Sequence, residues 1–152
     1  MYNRSTTRGL LALFALCLAS SAASVAYAQG NITVENAWAR ATVPGQKVGA
    51  VYLEIRSERS AKLIGVSSVA AASAEIHSMS NDGGVMKMRQ LKQLELPAGQ
   101  TVRLAPGGNH IMLLDIKQPL QAGAHLPLVL IVEEKGKKKW IQVQAEIRAV
   151  TP

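Results

Sequence analysis

An all-β sandwich is the fold class that this sequence predicts, and three observations carry it. Short runs rich in Val, Ile, Leu and Thr recur along the chain, clusters of turn-forming residues separate them at sandwich-like spacing, and no stretch has the length and period of a long helix. The expected strands are Ile32 to Arg40, Val48 to Arg56, Lys62 to Ser68, Glu75 to Met79 and Val85 to Gln90. Beyond them come Gln100 to Leu104, His110 to Lys117, Leu126 to Glu134 and Lys139 to Arg148. Between them lie Pro44-Gly45, Asn81-Asp82-Gly83-Gly84, Pro97-Ala98-Gly99, Pro106-Gly107-Gly108 and Lys135-Gly136, residues that suit turn dihedrals. The run Val69 to Ala74 is too short for a stable helix and is expected to be a single helical turn or an edge connection.

The first 28 residues are expected to leave before folding. Arg4 and Arg8 precede an apolar run from Gly9 to Ala19, and small residues follow to Ala26-Tyr27-Ala28, the layout of a secretory signal peptide cleaved after Ala28. Cys17 follows Leu16, where a lipid-attachment signal carries a small residue, so lipidation is not expected. The remaining 124 residues, Gln29 to Pro152, suffice for one domain. Export to the periplasm as a monomer, with no membrane insertion after cleavage, is the expected fate.

Without Arg4 and Arg8 the chain keeps 15 basic and 10 acidic side chains, a net charge of about +5. That balance suits an anionic surface or acidic partner, but there is no basic-aromatic stripe for nucleic acid. The charge run from Glu133 to Lys139 at a hairpin tip is expected to be a solvated turn, with docking onto an acidic partner as the functional alternative. Trp38, Tyr52 and Trp140 are expected to pack in the core, and His125 at the surface. Without Cys17 there is no cysteine, which excludes disulfides, blue-copper centres, cysteine-ligated zinc and iron-sulfur clusters.

Chemistry concentrates in two pieces. Beyond Met1 the methionines are Met79, Met86, Met88 and Met112, and His77 and His110 lie among them. Residues two apart in a strand share a face, so His77 with Met79, Met86 with Met88, and His110 with Met112 form three same-face pairs. A two-residue turn at Asp82-Gly83 predicts that Met79 faces Met86 and His77 faces Met88. His110 and Met112 should open a strand at one end of the sandwich, with Leu114 and Ile116 below them on the same face.

Thioether and imidazole without thiolate select a soft ion, best Cu(I), and Glu75 is near enough to add a carboxylate. An apolar contact surface is the competing reading of such a hairpin, as in a metal-free adhesion or assembly module. No serine, histidine and acid arrangement suggests an enzyme.

The spacing His77-x10-Met88-x21-His110-x-Met112 resembles the periplasmic copper chaperones called PCuAC. The resemblance extends through Ala37-Trp38-Ala39-Arg40, Pro44-Gly45, Tyr52, Leu96 to Gly99 and Leu104 to Met112. It implies a cupredoxin-like Greek-key sandwich holding one Cu(I) per chain through His77, Met88, His110 and Met112. It further implies delivery to the dicopper centre of a haem-copper oxidase, directly to its subunit or through another copper chaperone. Met79 and Met86 fall outside that pattern. The sequence up to Pro152 shows no His/Met-rich tail, so a second, Cu(II) site of the kind found in some relatives is not expected.

Overall fold

In strand after strand, apolar side chains alternate with polar ones, and each apolar set turns to one shared interior. A computed structural model describes residues 26–149. The elements are β1 (Tyr27–Gln29), β2 (Ile32–Arg40), β3 (Val48–Ser57), β4 (Ala61–Ser67), β5 (Ala71–Asp82) and β6 (Val85–Leu91). They continue with β7 (Leu94–Leu96), β8 (Thr101–Leu104), β9 (His110–Ile116), β10 (His125–Glu134) and β11 (Lys137–Arg148). The described residues include no helix, and hence none long and apolar enough to cross a membrane. The all-β expectation holds, and the nine expected strands all form within a few residues of their expected bounds.

The strands run β2-β11-β10-β4-β5-β9-β3, and β3 pairs again with β2, so the two layers of the sandwich close into a flattened barrel. The pairing of β11 with β2 is parallel and the other pairings are antiparallel. Its interior is lined by Ile32, Val34, Leu53, Ile55, Leu63, Ile111, Leu113, Leu130 and Val132, all almost fully buried. Burial of this kind, at roughly 25 cal/mol per Å² of apolar surface, holds together a fold without disulfides. Alternate residues of the same strands, among them Tyr52 on β3 and His110 and Met112 on β9, therefore face outward.

Several expectations are corrected. Ala71 to Ala74 opens β5 instead of forming a helical turn, because pairing with β9 and β4 satisfies its backbone. Ile116 does not stay on the face of Met112. Asp115 adopts φ 52°, which turns Ile116 into the core at 2% exposure. Trp140 is 56% exposed: Ile141 and Val143 take the inward positions of β11, leaving Trp140 on the solvent side. Tyr52 is buried, but on the outer face. β1 and β7, three residues each, were not expected. Tyr27 and Ala28 belong to β1, where Tyr27 pairs with Val34 and its hydroxyl donates to Gln144 O at 3.2 Å. The rest of the expected leader, including Arg4, Arg8 and Cys17, lies outside the described residues.

Candidate metal centre

The β5-β6 hairpin turns at Gly83-Gly84, one residue later than the sequence predicts. A two-residue type I′ turn needs positive φ at both central positions, and Gly83 (61°) and Gly84 (88°) supply it without a Cβ penalty. With Asp82-Gly83 at the tip, an aspartate would have taken the left-handed position. Asn81 Oδ1 accepts from Gly84 N at 2.9 Å, and Lys87 pairs with Asp82 across the turn.

The register corrects the expected facing pairs. Met79 lies opposite Met88, Asn81 opposite Met86 and His77 opposite Gln90. The shift preserves sides, so His77, Met79, Met86 and Met88 still share the outer face. Met88 is thereby a diagonal neighbour of His77, within reach of a long side chain.

On its other edge β5 pairs with β9. His77 lies opposite His110, and Glu75 opposite Met112. Beyond β9 comes β3, with Ala50 opposite Met112, and then β2, where Trp38 lies opposite Tyr52. An aromatic row results on the outer face. Ring centroids are 4.6 Å apart for Trp38 and Tyr52, 6.5 Å for Tyr52 and His110, and 5.9 Å for His110 and His77. The Arg148 guanidinium sits 5.2 Å over Trp38 and that of Arg40 5.9 Å over Tyr52, contacts a ring quadrupole favours. This row walls one side of the histidine pair. His110 is 4% exposed although it is on the outside of the barrel.

Each imidazole is held by one nitrogen. His110 Nδ1 lies 3.0 Å from Gly108 O and donates to it, which leaves the lone pair on Nε2. That carbonyl is placed by the turn after β8, where Gly107 takes φ 81° and Gly108 N donates to Ala105 O. His77 Nε2 lies 2.8 Å from Glu75 Oε2, and as donor to that carboxylate it leaves the lone pair on Nδ1. His77 Nδ1 is buried and has no hydrogen-bond partner. A buried polar nitrogen without a partner is costly, and a ligand on it removes the cost. Backbone carbonyl and carboxylate contacts of this kind are what orient imidazoles around metals.

Glu75 is the residue whose role the sequence left open; its carboxylate is engaged by His77. No three His, Cys, Asp or Glu side chains cluster as a metal site among the described residues. A site here therefore depends on thioether sulfur from Met88 and Met112, which suits a soft monovalent ion and not zinc or calcium. Met112 is half-buried beside a shallow groove lined by Arg40, Ala50 and Tyr52. His125 lies exposed at the start of β10, away from these strands.

Residues 32–147 match the model of a family described as "Putative lipoprotein LpqE-like". The chain belongs to the LpqE-like family. Within that family range fall all four candidate ligands and the aromatic row beside them. The LpqE-like chain is 32% identical over 117 residues to the putative lipoprotein Lxx21020 of Leifsonia xyli subsp. xyli, a match that spans 76% of this chain and 70% of the relative. Among solved structures, the copper-bound PCuAC domain from PmoF2 is 28% identical with a TM-score of 0.67, covering 82% of this chain and 98% of that one. The solution structure of CuI-DR1885 from Deinococcus radiodurans is 26% identical with a TM-score of 0.59, covering 74% of this chain and 75% of that one. The LpqE-like protein thus shares the all-β fold of PCuAC domains.

Proposed function

We propose that this protein is an exported copper chaperone and not an enzyme, binding one Cu(I) through His77, Met88, His110 and Met112. The observation that carries the reading is the buried, unpartnered Nδ1 of His77, next to a second imidazole held in place by Gly108 O. Two neutral imidazoles and two thioethers match Cu(I) in softness, and thioethers keep their ligand capacity in an oxidising compartment where paired thiols form disulfides. The fold shared with a copper-bound PCuAC domain and with CuI-DR1885 supports the cargo.

The chain's own residues set the chemistry. Glu75 and Gly108 O fix the ring tautomers before the ion arrives, so binding orders little beyond the two thioethers. Ligands leave one at a time to an acceptor approaching over the groove beside Met112, and the ion stays Cu(I) throughout. The recipient in this reading is the dicopper centre of a haem-copper oxidase, reached directly or through another chaperone. The protein works as a monomer in the periplasm. The family description as a putative lipoprotein supports export, and mass measurement of the isolated protein distinguishes cleavage after Ala28 from lipid attachment at Cys17.

Deleting the gene tests the delivery step. Oxidase copper content and activity should fall and should recover with the wild-type gene, but not with one changed at His77 and His110. An oxidase that keeps its full copper in the deletion strain refutes delivery.

A further inference from the structure

Three thioethers extend from the histidine pair along the hairpin, and the four-residue set uses only one of them. Met79 N donates to Gly108 O at 3.2 Å, on the β9 side, so its backbone does not bond to Met88. Met79 and Met88 are therefore a non-hydrogen-bonded antiparallel pair, the closer of the two kinds, with Cα atoms about 4.5 Å apart. Met86 is two residues along β6 on the same face and diagonal to Met79. Met86 is 53% exposed and Met88 46%, and Met79 is half-buried between them and the imidazoles. Thioether exposure thus rises steadily from the histidine pair to the hairpin tip. Apolar packing does not explain the arrangement, since Met86 and Met88 lie on the solvent side of a two-stranded extension with no layer over them.

We propose that Met79, Met86 and Met88 form a second, outer binding position for a soft monovalent metal ion, sharing Met88 with the inner site. An ion arriving from solvent or from a donor is first held by the sulfurs of exposed Met86 and Met88 together with half-buried Met79. Met88 then keeps its bond while His77 and His110 replace Met79 and Met86, and the ion later leaves the inner site over the groove beside Met112. Each step exchanges one neutral ligand for another, so no electron or proton moves. The inner half of this route rests on the copper-chaperone reading; the outer position does not.

Silver(I), a soft ion with no redox chemistry under these conditions, is the probe, followed by NMR of 13C-labelled methionine methyls and of the histidine rings. In the wild-type protein the first equivalent should shift the Met88 and Met112 methyls and both histidine rings, and further silver should shift the Met79 and Met86 methyls. M79L/M86L, near-isosteric changes on an exposed hairpin, should keep the first response and lose the second. H77A/H110A should still bind silver with shifts at Met79, Met86 and Met88, and adding M79L/M86L to it should abolish them. Met79 and Met86 methyls that stay unmoved through two equivalents in the wild-type protein overturn the outer position. Histidine rings that stay unmoved while those methyls shift overturn the inner site alone.

Discussion

Met79 stands directly opposite Met88 across the β5-β6 hairpin, and His77 stands opposite His110 on the neighbouring strand. The histidine pair thus spans β5 and β9, while the candidate thioethers Met88 and Met112 stand on β6 and further along β9. In a non-hydrogen-bonded pair the two Hα atoms face each other closely. A strong Hα-Hα NOE should connect Met79 with Met88. A cross-peak joining Met79 with Met86 instead would place the turn at Asp82-Gly83 and overturn the Met79-Met88 pairing.

The Glu75 carboxylate hydrogen-bonds His77. That contact fixes which ring nitrogen is free, and loss of such an outer partner lowers metal affinity by roughly 10 to 100-fold. For E75A, competition against a Cu(I) chelator should show one equivalent still bound at correspondingly weaker affinity. An affinity equal to that of the wild-type protein would leave Glu75 without an orienting role.

Glu134 is buried at the β10-β11 tip, where its hydrogen bond to Lys139 holds its carboxyl below the ordinary value of 4.5. Burial opposes that shift, and Asn31 and Arg59 reinforce it. A depressed carboxyl stabilises the fold above its unfolded-state value and loses that contribution as pH falls through the folded one. The E134Q variant should therefore unfold at lower urea than wild type near neutral pH, and the gap should narrow in acid. A gap of constant size across that range contradicts the linkage.

Leu130 is fully buried on the inward face of β10, which pairs with β4 on one edge and β11 on the other. Its truncation in L130A should cost about 2 to 5 kcal/mol, read as a shift of the urea midpoint at unchanged slope. The outer-face imidazoles do not pack against it, so the folded variant should bind copper as wild type does.

Much of this was legible in the sequence, for identifiable reasons. Runs rich in Val, Ile and Leu bounded by turn residues marked β2, β3 and β9 because each strand supplies apolar side chains to the interior, as Val51, Leu53 and Ile55 do. β1 and β7 escaped because three residues carry no period. The pairing of β11 with β2 and of β3 with β2 was not legible, since local pattern does not encode which distant strands meet. Among the site residues, the His and Met clustering was visible from composition and spacing. The turn was misplaced because an Asp-Gly pair competes with Gly-Gly one step along, and only the second avoids a side chain at positive φ. Trp140 was expected inside because aromatic rings usually are, yet the inward positions of its strand belong to Ile141 and Val143. The spare nitrogen of His77 was not legible at all, because it depends on where Glu75 and β9 come to rest.

The proposed binding of copper at the two imidazoles and two thioethers is tested most directly by titrating the reduced protein with Cu(I) against a chromophoric chelator. The comparison is with a variant changed at His77, Met88, His110 and Met112 together. The wild-type protein should retain one equivalent and the variant none at the same chelator concentration. Equal retention by the two proteins would contradict the assignment of these residues as the copper site.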